Sequence, residues 1–332
     1  MIITRTPFRI SFFGGGTDYP VWYEQNGGAV LSTTINKYCY IITRYLPQFF
    51  DYKYRIRYIL REETKDISEI KHPSVRESLK YLNINRGIEM VHTADLPARS
   101  GLGSSSAFTV GFLNSLYALT GKMVTKRQLA LDAIHVEQDL IKENVGSQDQ
   151  TNAAFGGLNK IEFGGQEKIR VQPITISGEK LKLLQDHLML FFTGFSRNAS
   201  QVAGEQIKKT PSRGQELKAM GQMVDEAINI LNGDVNKIKD FGKLLHESWK
   251  IKRSLTDKIS NGQIDNIYET GLGAGALGGK LCGAGSGGFI LFFAPPEAQA
   301  QIKEKLKNLL YVPFRFDELG SQIIFHSAQD FF

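Results

Sequence analysis

The sequence predicts an α+β fold in two units, and three observations carry that expectation. Strand-like segments crowd the first sixty residues, helical periodicity dominates beyond about residue 180, and no regular strand–helix–strand alternation links the two regions. A chain of 332 residues is long enough for two hydrophobic cores. The boundary is expected between 170 and 180, giving units of 1–175 and 176–332.

In the first unit, β-rich runs predict strands over 2–3, 8–13, 28–34, 38–44 and 53–60, with turns at Gly14-Gly15-Gly16 and Gly27-Gly28. Lys53, Arg55 and Arg57 alternate with Tyr54, Ile56 and Tyr58, the pattern of a half-exposed strand rather than a nucleic-acid-binding run. A strand at 88–93 precedes a helix over 104–119, closed by Gly121. The next helix starts at the capping box Thr125-x-x-Gln128 and is expected to run to about 144. Strands follow within 156–170. The second unit reads as a strand at 188–193, amphipathic helices over 199–232 and 236–255, a glycine-dense loop over 271–288, a strand at 289–293, and a helix from Pro296.

Composition narrows the class. Apolar residues make up 42% and charged residues 22%, an ordinary globular balance, and no apolar run approaches the roughly 20 residues of a membrane helix. The first residues lack a basic segment followed by an uninterrupted apolar one. Cys39 and Cys282 supply neither a disulfide framework nor a zinc spacing. The expectation is a cytoplasmic protein with neither membrane nor nucleic acid as partner. Its net charge of +6 is spread and mixed in sign, and suits phosphorylated small molecules.

Three glycine-rich segments mark the candidate site. In Gly101-Leu102-Gly103-Ser104-Ser105-Ser106, glycines let the backbone approach a ligand and the serines open a helix whose first N–H groups have no internal partner. Such a terminus holds phosphate; a plain serine cap would need only one of these serines. No Gly-Lys-Ser/Thr closes the segment, so it is not a Walker A loop. The segment Arg9 to Asp18 ends a strand in Gly14-Gly15-Gly16-Thr17-Asp18, where Asp18 serves either sugar hydroxyls or its own turn. The third, Gly283-Ala284-Gly285-Ser286-Gly287-Gly288, precedes a strand. Just upstream, Gly273, Gly275 and Gly278 fit a dinucleotide-binding spacing, but the order helix, loop, strand is wrong for a Rossmann turn.

Helical projection singles out one carboxylate. At about 100° per residue from Leu129, the residues Val136, Leu140, Ala133, Ile141 and Ile134 share one arc, and Glu137 falls near its middle. A carboxylate there needs a cation, and Mg²⁺ is the first choice over an internal ion pair to an arginine. Further on, Asp149 in the segment 146–150 is expected in a loop, as a general base or as a helix cap.

Together these stretches resemble the GHMP kinases, the family of galactokinase, homoserine kinase and mevalonate kinase, whose three motifs occur here in order across nearly the whole chain. The resemblance implies an N-terminal domain like ribosomal protein S5 domain 2, a ferredoxin-like C-terminal domain, and an active site between them. It implies that Gly101, Leu102, Gly103, Ser104, Ser105 and Ser106 hold ATP phosphates, and that Ser105 and Glu137 ligate Mg²⁺. It further implies Asp149 as catalytic residue, Arg9 as its basic support, and Gly15, Gly16, Thr17, Asp18, Gly283 and Gly285 around the substrate. Where galactokinase has Gly-Glu-His before Thr-Asp, this chain has Gly14-Gly15-Gly16. That triple glycine, with Thr193-Gly194-Phe195-Ser196-Arg197 and the segment His246 to Arg253, is similar to the heptose 7-phosphate kinase branch; L-fucose kinases share a similar turn. The branch implies transfer to the C1 hydroxyl of a sugar phosphate. Arg197 is the first choice for its distal phosphate, followed by Lys252 and Arg253; otherwise these are solvated surface cations. A homodimer is compatible with this reading. A non-catalytic sensor would be expected to have lost Asp149, Glu137 or the serines, and all are present.

Overall fold

The computed structural model describes residues 1–98, 100–165, 168–194 and 199–327. The first sheet grows around two long antiparallel strands, β1 (Ile2–Phe13) and β2 (Gly28–Tyr45), linked by the glycine turn and a short helix, α1 (Pro20–Asn26). The sequence predicts each of these strands as two. Pro7 has no amide hydrogen to offer the ladder, and the register slips between Pro7 and Phe8, so both strands pass the interruption as a bulge instead of ending.

The segment expected as one strand at 53–60 is a hairpin of β3 (Tyr54–Arg57) and β4 (Arg61–Thr64). Helix α2 (Pro73–Tyr81) carries the chain over to β5 (Ile88–Ala94), parallel to β3. Helix α3 (Ser104–Leu119) packs across β1 and β2. Helix α4 (Lys126–Ile134) starts where Thr125 accepts the Gln128 amide at 3.1 Å. The capping box is only half made, because the Gln128 side chain turns to Asp132 instead. The helix does not reach 144: it widens into a π-helical turn, His135–Leu140, and stops. Helix α5 (Gln148–Phe155) occupies the segment expected as a loop, followed by the hairpin β6 (Leu158–Phe163) and β7 (Ile169–Pro173) on β2.

After α6 (Gly178–Asp186), a second sheet begins with β8 (Leu188–Phe192). The long helix expected over 199–232 is broken at Pro211 into α7 (Ala199–Lys209) and α8 (Gly214–Asn232). Helices α9 (Ile238–Ser254) and α10 (Gly262–Gly273) lead to β9 (Gly278–Leu281), a strand hidden within the predicted glycine loop. Then come β10 (Phe289–Phe293), α11 (Pro296–Lys305) and β11 (Leu310–Tyr311). The sheet order is β11-β8-β10-β9, antiparallel throughout, which is the ferredoxin-like order.

The chain then leaves this sheet. β12 (Phe316–Asp317) pairs with β2, and β13 (Gln322–His326) covers the edge of β1. The expected second unit, 176–332, therefore gives its last two strands to the first sheet.

The largest apolar cluster runs beneath both sheets, and a second covers the other face of the second sheet with Met189, Phe191, Ile290 and Phe292. At the seam, Phe241 of α9 meets Phe12 and Phe13 edge-on, at centroid separations of 5.5 and 5.1 Å, and leans on Phe293 at 5.8 Å. Each buried phenylalanine contributes roughly 1.5–3 kcal/mol, which holds the two sheets together at this seam. Among the described residues no helix is long and apolar enough to cross a membrane.

Candidate active site

The end of β1, the start of α3, the start of α5 and the turn between β9 and β10 line a cavity of about 220 Å³. The segment before α3 forms its phosphate-sized side. Gly103 caps α3 in the left-handed conformation, φ 74°, and the first turn of the helix carries no acidic residue. The first N–H groups of a helix lack intrahelical partners, and with the helix dipole they favour an anion at this end.

The β9–β10 turn closes on this segment backbone to backbone. A Cβ on Gly283 would stand 2.5 Å from Gly101 Cα, and one on Gly101 would stand 2.5 Å from the Cys282 carbonyl oxygen. Only glycine on both sides permits that approach, and the contact draws two distant glycine segments to one site.

Arg9 projects from β1 into the same space. Its Nε donates to Asp149 Oδ1 at 2.7 Å, one terminal nitrogen donates to Oδ2 at 2.9 Å, and the other donates to the Gly101 carbonyl at 2.8 Å. The fork is bidentate and largely buried, with side-chain exposures of 5% for Arg9 and 17% for Asp149. Asp149 sits in the first turn of α5 rather than in a loop. One guanidinium thus fixes both the carboxylate and the phosphate-side backbone.

Glu137 lies in the π-turn and is fully buried. It accepts hydrogen bonds from Ser106 Oγ at 2.8 Å, from Thr109 Oγ1 at 2.7 Å and from the Gln150 amide. Among the described residues no cation pairs with it, and Arg9 is bonded to Asp149 instead. Burial pushes its carboxyl up to about 7. The hydroxyl at Glu137 is that of Ser106; Ser105 lies exposed on the first turn of α3, where both line the cleft.

At the opposite end, Gly15, Gly16 and Asp18 line the cavity. Asp18 accepts from the Gly16 amide at 2.8 Å and from Gln148 Nε2 at 2.9 Å, and burial pushes its carboxyl above the ordinary range. The Thr17 hydroxyl is instead spent on the carbonyls of Gly14 and Ala29, at 2.8 and 2.9 Å, and holds the turn. Leu102 is buried, its carbonyl accepting the Arg9 amide at 3.1 Å. Gly285 packs on the backbone of Ile259. Arg197 lies outside the described residues. Arg253 pairs with Asp265 at 2.9 Å on the surface.

Sequence reasoning passes over several cleft residues. Ser11 Oγ, Gln148 Oε1 and Gln206 Nε2 are buried polar atoms with no partner among the described residues, on side chains that line the cavity. Lys280 of β9 is buried and donates to the carbonyls of Ser11 and Phe12, at 2.7 and 3.0 Å, tying the second sheet to the tip of β1. Lys252, a candidate for the distal phosphate after Arg197 with a solvated helix face as the alternative, is 6% exposed and lines the cleft. The signal for it was available: from Phe241 at about 100° per residue, Leu245, Ser248 and Lys252 fall on one stripe of α9.

Comparison with known proteins agrees with this geometry. Residues 71–157 match the family described as GHMP kinases N terminal domain, and residues 225–312 match GHMP kinases C terminal, together more than half of the chain. The chain is 29% identical to D-glycero-alpha-D-manno-heptose 7-phosphate kinase of Campylobacter jejuni, over 92% of this chain and 93% of that protein. It is 24% identical to the bifunctional fucokinase/GDP-fucose pyrophosphorylase of Arabidopsis thaliana, over 91% of this chain but only 31% of that protein. Among solved structures, a D-glycero-D-manno-heptose 1-phosphate kinase from Bacteroides thetaiotaomicron shares the fold with a TM-score of 0.77 at 23% identity, covering 99% of this chain and 100% of that one. Phosphomevalonate kinase of Streptococcus pneumoniae, solved with phosphomevalonate and AMPPNP, gives 0.75 at 14% identity over 96% of this chain and 100% of that one. Two domain matches in order, on the expected fold and around the expected glycine segments, place the chain in the GHMP kinase family of phosphotransferases.

Proposed function

We propose that the chain is a sugar kinase that moves the γ-phosphoryl group of ATP to the anomeric C1 hydroxyl of D-glycero-D-manno-heptose 7-phosphate, giving the 1,7-bisphosphate. The observation that carries the reading is the Arg9–Asp149 fork bonded to Gly101 beside the α3 terminus. Phosphoryl transfer asks mainly for positioning and charge neutralisation, and this arrangement places a carboxylate and a cation at the edge of a phosphate site. Asp149 takes the proton of the attacking hydroxyl. The new bond forms between that oxygen and the γ-phosphorus, and the bond to the bridging oxygen breaks, leaving ADP.

The α3 amides, with Ser104, Ser105 and Ser106, hold the phosphate chain. Asp18 and Gln148, with Gly15 and Gly16 beside them, face the sugar, where the unpartnered atoms of Ser11, Gln148 and Gln206 suit a polyhydroxylated ligand. Glu137 fits a hard divalent cation: it is buried, has no cationic partner among the described residues, and is surrounded by hydroxyl and amide groups. Glu137 with the Ser105 or Ser106 hydroxyl would hold Mg²⁺, which supplies neutralisation of phosphate charge when bound.

The heptose assignment is supported by the relative of nearly full length. Fucokinase relatives cover almost as much of the chain and motivate free L-fucose as the second reading. The test compares kcat/KM for heptose 7-phosphate, free heptose, fucose and mannose, with the phosphorylated position read by phosphorus NMR. Heptose 7-phosphate is expected to win with a new C1 phosphate. A preference for fucose would replace the substrate, and no ATP consumption with any sugar would refute the kinase reading.

A further inference from the structure

We infer that Lys252 is a phosphoryl-binding residue, its ammonium contacting the oxygens of the group in transfer from the C-terminal side of the cleft. The inference rests on the kinase reading and adds a residue to it. Of the three buried cations around the cavity, only Arg9 has a carboxylate partner among the described residues. Lys280 spends two donors on the carbonyls of Ser11 and Phe12. Lys252 has one acceptor, the Gly283 carbonyl at 2.5 Å, although an ammonium carries three donors. A buried ammonium without a counter-charge is costly, and an anion arriving in the cleft removes that cost.

Position says which anion. The carbonyl that Lys252 grips belongs to Gly283, whose backbone packs on Gly101; Gly101 in turn accepts from Arg9. Arg9 and Lys252 therefore flank the same glycine–glycine contact, one from strand β1 and one from helix α9, next to the α3 terminus. Phosphate oxygens held by that terminus meet Arg9 on one side and Lys252 on the other. A compact ammonium in that place offsets charge on a phosphoryl group without competing for the bidentate geometry Asp149 needs.

The charged and titratable groups facing Lys252 are Arg9 of β1, Asp18 of the glycine turn, Asp149 of α5, and Lys280 and Cys282 at the end of β9. Burial first, then Arg9, brings the Lys252 ammonium down to about 8, so the cation is present at neutral pH and lost above it.

The full chain is compared with Lys252→Met and Lys252→Arg. Inorganic tripolyphosphate serves as the probe in melting curves, and kcat is measured from pH 6.5 to 9.5 with ATP and the accepted sugar. In Lys252→Met, kcat should fall about 100-fold, the loss typical of one transition-state donor, and stabilisation by tripolyphosphate should shrink while the ligand-free melting temperature does not drop. The wild-type rate should decline above about pH 8, and Lys252→Arg should restore part of the rate without that decline. Wild-type kcat and tripolyphosphate response in Lys252→Met would overturn the inference. So would a loss of rate matched by a loss of ligand-free stability in both variants, since Lys252 would then only hold the Gly283 carbonyl. A tripolyphosphate response that needs Lys252, in a wild type that phosphorylates no sugar, would support the anion contact and separate it from the kinase reading.

Discussion

Asp149→Asn changes one atom of the central pair and separates its two duties. The amide retains an oxygen for Arg9 Nε, now 2.7 Å from Oδ1, but turns an NH₂ group toward the guanidinium nitrogen that stands 2.9 Å from Oδ2. Two donors then oppose each other, and a guanidinium with only 5% exposure loses its counter-charge. Removing one partner of a buried pair costs about 3–5 kcal/mol; with one hydrogen bond kept, about 3 kcal/mol is expected. For a chain longer than 250 residues that is a fall of roughly 6 °C in melting temperature. The catalytic loss is separate: without a proton acceptor kcat should fall by about 10²–10⁴, equivalent to roughly 2.7–5.5 kcal/mol in the barrier. ATP affinity should change little, because the contacts proposed for the phosphate chain come from the α3 amides. The assays are a coupled ADP-release measurement at saturating substrates, melting curves, and calorimetric titration with ATP. A variant with the lowered melting temperature and a kcat within threefold of wild type would refute the base assignment and leave Asp149 as an anchor for Arg9.

Burial holds Glu137 up to about 7, so the folded chain keeps a proton that the unfolded chain releases near its ordinary value of 4.5. Metal-free stability should therefore fall as pH rises between these values, and Glu137→Gln should abolish that slope and raise the Mg²⁺ concentration needed for activity; an unchanged Mg²⁺ titration would remove Glu137 from the metal site. Gly103→Ala places a Cβ 3.2 Å from Arg9 Cγ and 3.5 Å from Asp149 Cγ at φ 74°. The strain is only about 1–2 kcal/mol, yet kcat should drop at least about tenfold as the pair shifts; equal kcat would show that the fork tolerates displacement. Phe241→Ala empties the seam between Phe12, Phe13 and Phe293 and should cost about 3–5 kcal/mol in urea unfolding. A cost below about 1 kcal/mol would mean that the seam closes over the gap.

The α+β class, both sheets' leading strands and the glycine-cradled helix are legible because they depend on local pattern. Glu137 is legible for the same reason: a helix of known periodicity shows which side a carboxylate faces. The π-turn that carries it is not, since one extra residue per turn leaves no mark in composition. The single strands β1 and β2 are hidden by Pro7, because a bulge and a chain break read alike until the partner strand is known. β9 is hidden by its own glycines, and the return of β12 and β13 to the first sheet depends on which edges the fold leaves open.

Lys252 shows where local reading fails even when the signal exists. Its neighbours Lys250 and Arg253 are solvated, and charge composition averages all three into one exposed face. Projection puts Lys252 on the buried stripe, but only the glycine–glycine contact between residues 101 and 283 shows what that stripe faces. The two glycine segments lie 182 positions apart in the chain, and each alone is an ordinary turn. Brought together, they leave no room for side chains, so the groups around them must supply the charge: a guanidinium from β1, an ammonium from α9, and the free amides of α3. The chemistry of the cleft thus follows from a close backbone approach that neither segment specifies by itself.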